Sequence, residues 1–141
     1  MVPRVVIDTS VLIAGMRSAF GASYQLLQRL GRGEFTTSVS VPLVLEYESV
    51  AKRQARELGL TFDDVDDVLD YVCSIAEPHE IFYLWRPFLS DPRDDLVLEL
   101  AVEANADFIV THNLRDFVGV EQFGVEALSP GAFLRHLGQQ R

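Results

Sequence analysis

The sequence is poor in lysine, cysteine and histidine, and it contains no long apolar run. Lys52 is its only lysine, Cys73 is its only cysteine, and three histidines occur in 141 residues. A single cysteine cannot form an internal disulfide, so a reducing, cytoplasmic location is expected. No segment approaches the ~20 apolar residues that span a bilayer, and the first residues lack the order of a secretory signal. We therefore expect no association with a membrane.

Positive charge is also scarce, since 21 acidic residues against 12 basic ones give a net charge of −9. This balance excludes a protein that coats nucleic acid by bulk electrostatics. It is compatible with an enzyme that holds a cation and contacts phosphates locally, because a bound divalent ion reverses the local field. The preference for arginine over lysine suits bidentate phosphate contacts, although a bias in genome composition explains it equally well.

Apolar segments are plentiful, and their pattern predicts a single α/β domain over residues 1–141. The predicted strands are Val5–Ile7, Phe35–Ser38, Ile81–Leu84, Phe108–Thr111 and Val125–Leu128. The predicted helices begin at Thr9, Ser23, Ser40, Thr61, Asp91 and Ser129. Strands that alternate with helices indicate a mostly parallel sheet of four to five strands flanked by helices. The third and fourth helices, which run to about Leu58 and Ala76, form a helical hairpin at about residues 40–76.

Polar residues follow the first and fourth predicted strands. They are Asp8, Thr9, Ser10, Thr111, His112, Asn113 and Asp116. Ligands bind beyond the carboxyl ends of the strands in open parallel sheets, so we expect these side chains to share one site. A carboxylate directly after a buried strand needs a partner or a metal ion. A helix N-cap is the alternative interpretation of Asp8.

A second group of acids follows the Asp91-Pro92 helix start. Asp94 and Asp95 lie in the first turn, where the helix dipole alone favours acids. The dipole does not explain two adjacent acids beside an aspartate cap, so one of them is expected in the site. Glu99 follows Asp95 by four residues and shares its face. Glu99 is interpreted first as a solvated residue and second as an accessory ligand.

Glu46 lies on the apolar side of its predicted helix, three residues after Leu43 and four before Val50. A carboxylate in that position needs a partner, which is either a metal ion or an arginine such as Arg53. With Asp8, Asp116 and one acid of the Asp94–Asp95 pair, Glu46 completes a set of four acids. They lie on four different elements that can converge at one edge of the sheet. Sites rich in oxygen and without cysteine suit Mg²⁺ or Mn²⁺, and the three histidines show no zinc spacing.

Four segments, taken in order, resemble the PIN-domain proteins, in particular the VapC-like toxins of bacterial and archaeal toxin–antitoxin pairs. The segments are Val5–Leu12, Pro42–Glu46, Asp91–Asp95 and Ala106–Phe117. Each motif alone is loose, but the ordered set is specific and extends from about Arg4 to His136. The resemblance implies a PIN-like fold and a metal-dependent endoribonuclease.

The resemblance also assigns the acidic positions. Asp8, Glu46 and Asp95 fall on the first three acidic positions of the family, and Asp116 falls on the fourth. Asp94 is the adjacent alternative to Asp95. Asn113 departs from the pattern, because many relatives with the Asp-Pro-x-Asp-Asp stretch have an aspartate there. Asparagine adds no charge, so one tightly held metal ion is a better expectation than two.

The reaction that follows is hydrolysis of an RNA phosphodiester bond by water that Mg²⁺ or Mn²⁺ activates. Ser10 or Thr9 would orient a phosphate or the attacking water. Arg17, Arg93 and Arg115 are candidate contacts to the RNA backbone, with an ordinary surface position as the alternative for each. The resemblance further implies a cognate antitoxin protein as partner, whose peptide would cover the acidic cleft.

The apolar helix positions Tyr24, Leu27 and Tyr71 serve either a homodimer or the core. An aspartyl-phosphate phosphotransferase is disfavoured, because it needs a second aspartate two residues after the first and Ser10 is there. The stronger alternative is a catalytically weak PIN-like module that binds RNA or protein. Four retained acids argue against that module, because unused clustered carboxylates repel one another.

Overall fold

The computed structural model describes residues 2–81 and 88–139. The strands are β1 (Arg4–Ile7), β2 (Thr36–Val39), β3 (Glu77–Pro78), β4 (Phe108–Val110) and β5 (Glu126–Leu128). The helices are α1 (Thr9–Arg17), α2 (Ala22–Gln28), α3 (Val41–Arg53), α4 (Ala55–Leu58), α5 (Phe62–Ile75), α6 (Pro92–Glu103) and α7 (Pro130–Gln139). Two short 3-10 helices, Leu114–Phe117 and Val120–Phe123, lie between β4 and β5.

The five strands form one sheet in the order β3-β2-β1-β4-β5, and every neighbouring pair is parallel. This confirms the predicted fold class. Val5, Val6 and Ile7 of β1 are at most 2% exposed. Neighbouring residues of a strand face opposite sides of the sheet, so helices must cover both faces of β1, as is usual in parallel sheets.

The strand order reverses direction at β1. The chain passes from β1 to β2 and β3 on one side, and then returns to β4 and β5 on the other. In open α/β sheets, the crevice beyond the carboxyl ends of the strands at such a switch point is the usual place for a ligand. The edge between β1 and β4 is therefore where the fold favours a site.

Helix α3 begins as predicted, because the Ser40 hydroxyl accepts a hydrogen bond from the Leu43 amide (3.3 Å) and Pro42 lies in the first turn. The prediction of one helix to about Leu58 was wrong in one respect. Helix α3 ends at Arg53, and the short α4 follows after Gln54. Helix α3 packs against α5, which agrees with the predicted hairpin.

Two other boundaries differ from the predictions. The glycines at either end of residues 15–21 predict a loop there, but helix α1 continues through Gly15 to Arg17. Gly15 is buried against α2, and a Cβ on it would lie 2.3 Å from Leu27 Cδ1, so glycine here permits close packing of two helices. The third strand was predicted at 81–84. The structure pairs Glu77–Pro78 with β2 instead, and residues 82–84 lie outside the described residues.

Helix α6 packs against β1, β2 and β4. In α7, the ring centroid of Phe133 lies 5.3 Å from that of Phe35 and 5.7 Å from that of Phe108. These contacts place the main core around the central strands. Within the two described ranges, no helix is long and apolar enough to cross a bilayer.

Candidate functional site

An open cleft of about 380 Å³ lies beyond the carboxyl ends of β1 and β4. Residues of α1, α3, α6 and the segment after β4 line it. They are Asp8, Thr9, Ser10, Ile13, Arg17, Glu46, Val50, Arg53, Gln54, Asp91, Arg93, Asp94, Asn113 and Asp116. Most of the predicted site residues are therefore brought together, and the cleft lies at the switch point of the sheet.

Asp8 follows β1 and is buried, with 6% of its surface exposed. Its Oδ2 accepts hydrogen bonds from the hydroxyls of Ser10 (2.7 Å) and Thr111 (2.8 Å). Asp8 occupies the N-cap position of α1, but its side chain makes no capping hydrogen bond. The capping interpretation therefore does not account for the carboxylate. Among the described residues, no hydrogen bond occupies Oδ1.

Thr111 and Ser10 connect the end of β4 to the end of β1. Thr111 is fully buried, and its hydroxyl also accepts from the Asn113 amide (2.9 Å). The Ser10 hydroxyl accepts from the His112 amide (3.2 Å). Both residues were predicted as accessory residues, and their hydrogen bonds show that they orient Asp8.

Sequence reasoning missed Ser23, which is buried in α2 with its hydroxyl 2.7 Å from His112 Nε2. This contact joins α2 to the segment that carries Asn113 and Asp116. No spacing in the sequence relates Ser23 to His112, because the two lie 89 residues apart. The pair stabilises the cleft wall after β4.

Glu46 lies half-buried in the cleft, between the buried side chains of Leu43 and Val50 along α3. This agrees with its predicted place on the apolar side of the helix. The alternative of an ion pair with Arg53 is not observed. Within the part of the chain that the structure describes, Glu46 has neither a hydrogen bond nor an ion pair within 4.0 Å.

Tyr47, the residue after Glu46, was also missed. It is fully buried, and its hydroxyl donates to the carbonyl oxygen of Ile7, the last residue of β1. Burial raises the pKa of Tyr47 above its ordinary value, and the nearby charge of Asp8 adds to the effect. The contact fixes α3 against the end of β1 and so positions Glu46 relative to Asp8. Its spacing of four from Leu43 was the available signal.

The two adjacent acids at the start of α6 have different environments. Asp94 is half-buried in the cleft, and burial together with the carboxylates of Asp8, Asp91 and Asp116 raises its pKa to about 7. Asp95 is 1% exposed and does not line the cleft; its Oδ1 accepts from the Leu89 amide (2.9 Å). The structure therefore places Asp94, and not Asp95, among the clustered acids.

Asp95 Oδ2 is buried and has no hydrogen-bond partner among the described residues. The expectation that Glu99 is solvated was wrong, because Glu99 is 2% exposed, and it does not line the cleft either. Both residues lie on the side of α6 that faces the interior. The four-residue spacing that places Asp95 and Glu99 on one face thus marks a buried face.

Asp116 lies in the first 3-10 helix after β4, is exposed, and faces the cleft with Asn113. Arg115 lies outside this cleft and lines a neighbouring hollow instead. Arg93 lines the cleft, but its guanidinium pairs with Asp91 (Nη2–Oδ2 3.0 Å) and holds the pKa of that carboxyl below its usual value. Of the three arginines predicted to contact RNA, Arg17 and Arg93 therefore reach the cleft.

The side chains of the cleft that could coordinate a metal ion, such as Asp8, Glu46 and Asp94, offer oxygen atoms. Oxygen ligands suit a hard divalent cation such as Mg²⁺ or Mn²⁺. Burial is the main cause of the raised pKa of Asp94, and the repulsion from Asp8, Asp91 and Asp116 adds to it; a bound cation would offset both effects. Among the described residues, however, no three acidic, histidine or cysteine side chains are arranged to hold a metal ion as they stand. The oxygen atoms of the cleft are therefore of the right type to bind a cation, but the side chains that carry them are too far apart, as described, to coordinate one.

A sequence model of the PIN-domain family matches residues 4–115. The chain belongs to this family. The match runs from β1 into the first 3-10 helix after β4 and includes every residue that lines the cleft of this PIN domain except Asp116, which lies one residue beyond it. A comparison with curated protein sequences gave no significant match.

The PIN domain also shares its fold with chains of two solved VapBC complexes. One is VapBC2 from Rickettsia felis bound to a DNA fragment from the promoter, with a TM-score of 0.62, 14% identity, and coverage of 89% of this chain and 98% of that chain. The other is VapBC-1 from nontypeable Haemophilus influenzae, with a TM-score of 0.61, 14% identity, and coverage of 91% and 98%. These likenesses confirm the predicted fold.

Proposed function

We propose that this PIN domain is a Mg²⁺- or Mn²⁺-dependent endoribonuclease and the toxin of a toxin–antitoxin pair. The observation that carries the proposal is the half-buried position of Asp94 in the cleft near Asp8 and Asp116, where burial first and then the charges of these carboxylates raise its pKa to about 7. Carboxylates crowded in this way gain affinity for a cation, because the cation removes their repulsion. Membership of the PIN-domain family, whose VapC members are typically nucleases, favours RNA cleavage as the use of such a site.

Asp8, Glu46, Asp94 and Asp116 would hold the ion. When bound, it would activate water and offset the negative charge of the phosphate. Asp8 suits a ligand role, since Ser10 and Thr111 hold one of its oxygens and leave the other without a hydrogen bond among the described residues. Asn113 brings an amide in place of a charge, which favours one tightly held ion over two.

The polar residues beside the carboxylates have separate tasks in this proposal. The Ser10 hydroxyl is engaged by Asp8 and by the His112 amide, so Ser10 orients Asp8 and does not contact the phosphate. Thr9 and Asn113 line the cleft, and in this proposal they orient a phosphate oxygen. Arg93 neutralises Asp91 and is not available as an RNA contact in this arrangement.

An antitoxin partner is part of the proposal, because the structural neighbours named above are chains of VapBC complexes. A homodimer is proposed as well. Tyr24, Leu27 and Tyr71 line a separate hollow of about 600 Å³, so these apolar side chains are partly open to a second copy. We expect the protein to act in the cytoplasm, where its RNA substrate is found.

The alternative is a catalytically weak PIN-like module that binds RNA or protein. It is favoured by one observation, namely that the described side chains do not form a metal cage as they stand. The two functions differ in their response to Mn²⁺. A ligand that binds only the folded state raises its stability by about 2.7 kcal/mol at a hundred times its Kd, whereas a module without a metal site would melt at an unchanged temperature.

The test of the proposal is the variant Asp8→Asn, which keeps the shape of the side chain and removes its charge. We expect Mg²⁺-dependent cleavage of a labelled RNA to fall roughly 10²-fold or more, because one oriented charge of the site is lost. Asp63→Asn, an exposed acid of α5 outside the cleft, is the matched control. Circular dichroism verifies folding, and undiminished cleavage by folded Asp8→Asn would contradict the proposal.

A further inference from the structure

The three arginines of the cleft differ in how their charge is used. Arg93 forms a close ion pair with Asp91. Arg17 instead donates from Nη2 to the neutral Gln54 Oε1 (2.9 Å). Arg53 has no ion pair within 4.0 Å among the described residues and is exposed. Arg17 and Arg53 therefore bring positive charge to the cleft that no nearby acid neutralises.

Both arginines lie at the same end of the cleft. On α1, Arg17 follows Thr9 by eight residues with Ile13 midway, and all three line the cleft. At 1.5 Å per residue, Arg17 lies about 12 Å along the helix from Thr9. The acidic cluster therefore lies at the N-terminal end of the cleft-lining face of α1, and Arg17 lies at its C-terminal end.

Helix α3 repeats this order. Glu46 begins its cleft-lining face, Val50 follows by four residues, and Arg53 and Gln54 end it. The helix dipole explains a basic residue at the end of each helix. It does not explain why two such ends meet in the same cleft, with Gln54 holding Arg17 beside Arg53.

We propose that Arg17 and Arg53 bind the backbone of a single RNA strand a few nucleotides from the phosphate held at the acidic cluster. This inference rests on the proposed function. A separation of about 12 Å corresponds to about three to four stacked nucleotides at 3.4 Å each. Guanidinium groups suit phosphate oxygens because they can form two parallel hydrogen bonds. Gln54 is a positioning residue, since it acts on the strand only through Arg17.

The inference predicts that the arginines matter for long substrates and not for short ones. For Arg17→Ala/Arg53→Ala, we expect KM for a ten-nucleotide RNA to rise about tenfold, with kcat within twofold of wild type. KM for a dinucleotide should not change, because its single phosphodiester group cannot lie at the acids and also reach the arginines. Arg56→Ala/Arg135→Ala removes the same charge from exposed positions outside the cleft and is the matched control. An equal rise in KM for both lengths would overturn the inference.

A binding experiment separates this inference from the proposed cleavage. Fluorescence anisotropy with an uncleavable ten-nucleotide 2′-O-methyl RNA measures affinity across a range of salt concentrations. Loss of two phosphate contacts on a single strand should lower the slope of log Kd against log salt by about 1.4, at about 0.7 for each contact. Arg17→Lys/Arg53→Lys should restore most of the slope, because lysine keeps the charge.

Each outcome of the binding experiment is decisive. A reduced slope in the alanine variant and not in the control supports the inference, even if wild type cleaves no RNA. An unchanged slope, or a wild-type protein that does not bind the oligonucleotide in the presence of Mg²⁺, overturns it. Cleavage by wild type together with an unchanged slope would overturn the inference and leave the proposed ribonuclease activity intact.

Discussion

At the scale of single residues, acids of the same type differ in function because their surroundings differ. The sequence and its family resemblance predict Asp95 as the third ligand, with Asp94 as the alternative, but only Asp94 lines the cleft. Adjacent residues of a helix point about 100° apart, so only one of them can face the site. Leu98 and Glu99 lie three and four residues after Asp95 and are both buried. That pattern marks the inner face of α6, and it was open to sequence analysis.

The raised pKa of Asp94 predicts that the metal-free protein loses stability as pH rises. The folded protein keeps this proton up to about pH 7, whereas the unfolded chain releases it near the ordinary value of 3.8. The folded state binds more protons between these values, so the free energy of unfolding falls with increasing pH there. In EDTA, Asp94→Asn should melt at a higher temperature than wild type at pH 8 and at a similar temperature at pH 4.

Thermal melts at the two pH values check this prediction. Asp63→Asn is the control, because Asp63 is an exposed acid of α5. It should change the melting temperature little at either pH. A shift for Asp94→Asn that is the same at pH 4 and pH 8 would show that Asp94 does not titrate as described.

Tyr47→Phe should destabilise the protein by about 1–3 kcal/mol, because it leaves the buried carbonyl oxygen of Ile7 without its donor. Urea denaturation measures the change in the free energy of unfolding. Tyr71→Phe is the matched control, since the Tyr71 hydroxyl also donates to a backbone carbonyl, that of Leu30 (2.9 Å), from a half-exposed residue. A loss for Tyr47→Phe no larger than that for Tyr71→Phe would contradict the role assigned to Tyr47.

At the scale of elements, long and strongly patterned segments were predictable. The continuous apolar runs that became β1 and β4 and the capped starts of α3, α5 and α6 are all visible in the sequence. The break between α3 and α4 was not, because Ala55–Leu58 consists of good helix formers and the pattern continues through Gln54. The strand at Glu77–Pro78 is two residues long, too short for any periodic signal.

The cap of α5 gives a prediction at this scale. The Thr61 hydroxyl accepts from the Asp64 amide (3.1 Å), and the Asp64 carboxylate accepts from the Thr61 amide (2.9 Å). Thr61→Ala should therefore cost about 1 kcal/mol of stability, measured by urea denaturation, without changing RNA cleavage. Ser74→Ala, an exposed change near the other end of α5, should cost less because alanine favours the helix interior. Equal costs would argue against the capping box.

At the scale of the whole molecule, the alternation of strands and helices predicted a parallel sheet, and the acids at two strand ends predicted the edge that carries the site. The sequence could not predict how closely the carboxylates approach, because that depends on contacts between distant segments. Tyr47 with Ile7, Thr111 with Asp8 and Ser23 with His112 are the decisive contacts. The proposed function therefore depends on convergence: we propose that Asp8, Glu46, Asp94 and Asp116 together hold one cation.

Isothermal titration of Mn²⁺ into wild type, Asp94→Asn and Asp95→Asn tests this claim most directly, with RNA cleavage measured in the same three samples. Wild type should bind the ion, Asp94→Asn should bind at least about tenfold more weakly, and Asp95→Asn should keep the wild-type affinity. Cleavage should follow the same order. Wild-type affinity in folded Asp94→Asn, or no binding by folded wild type, would contradict the account.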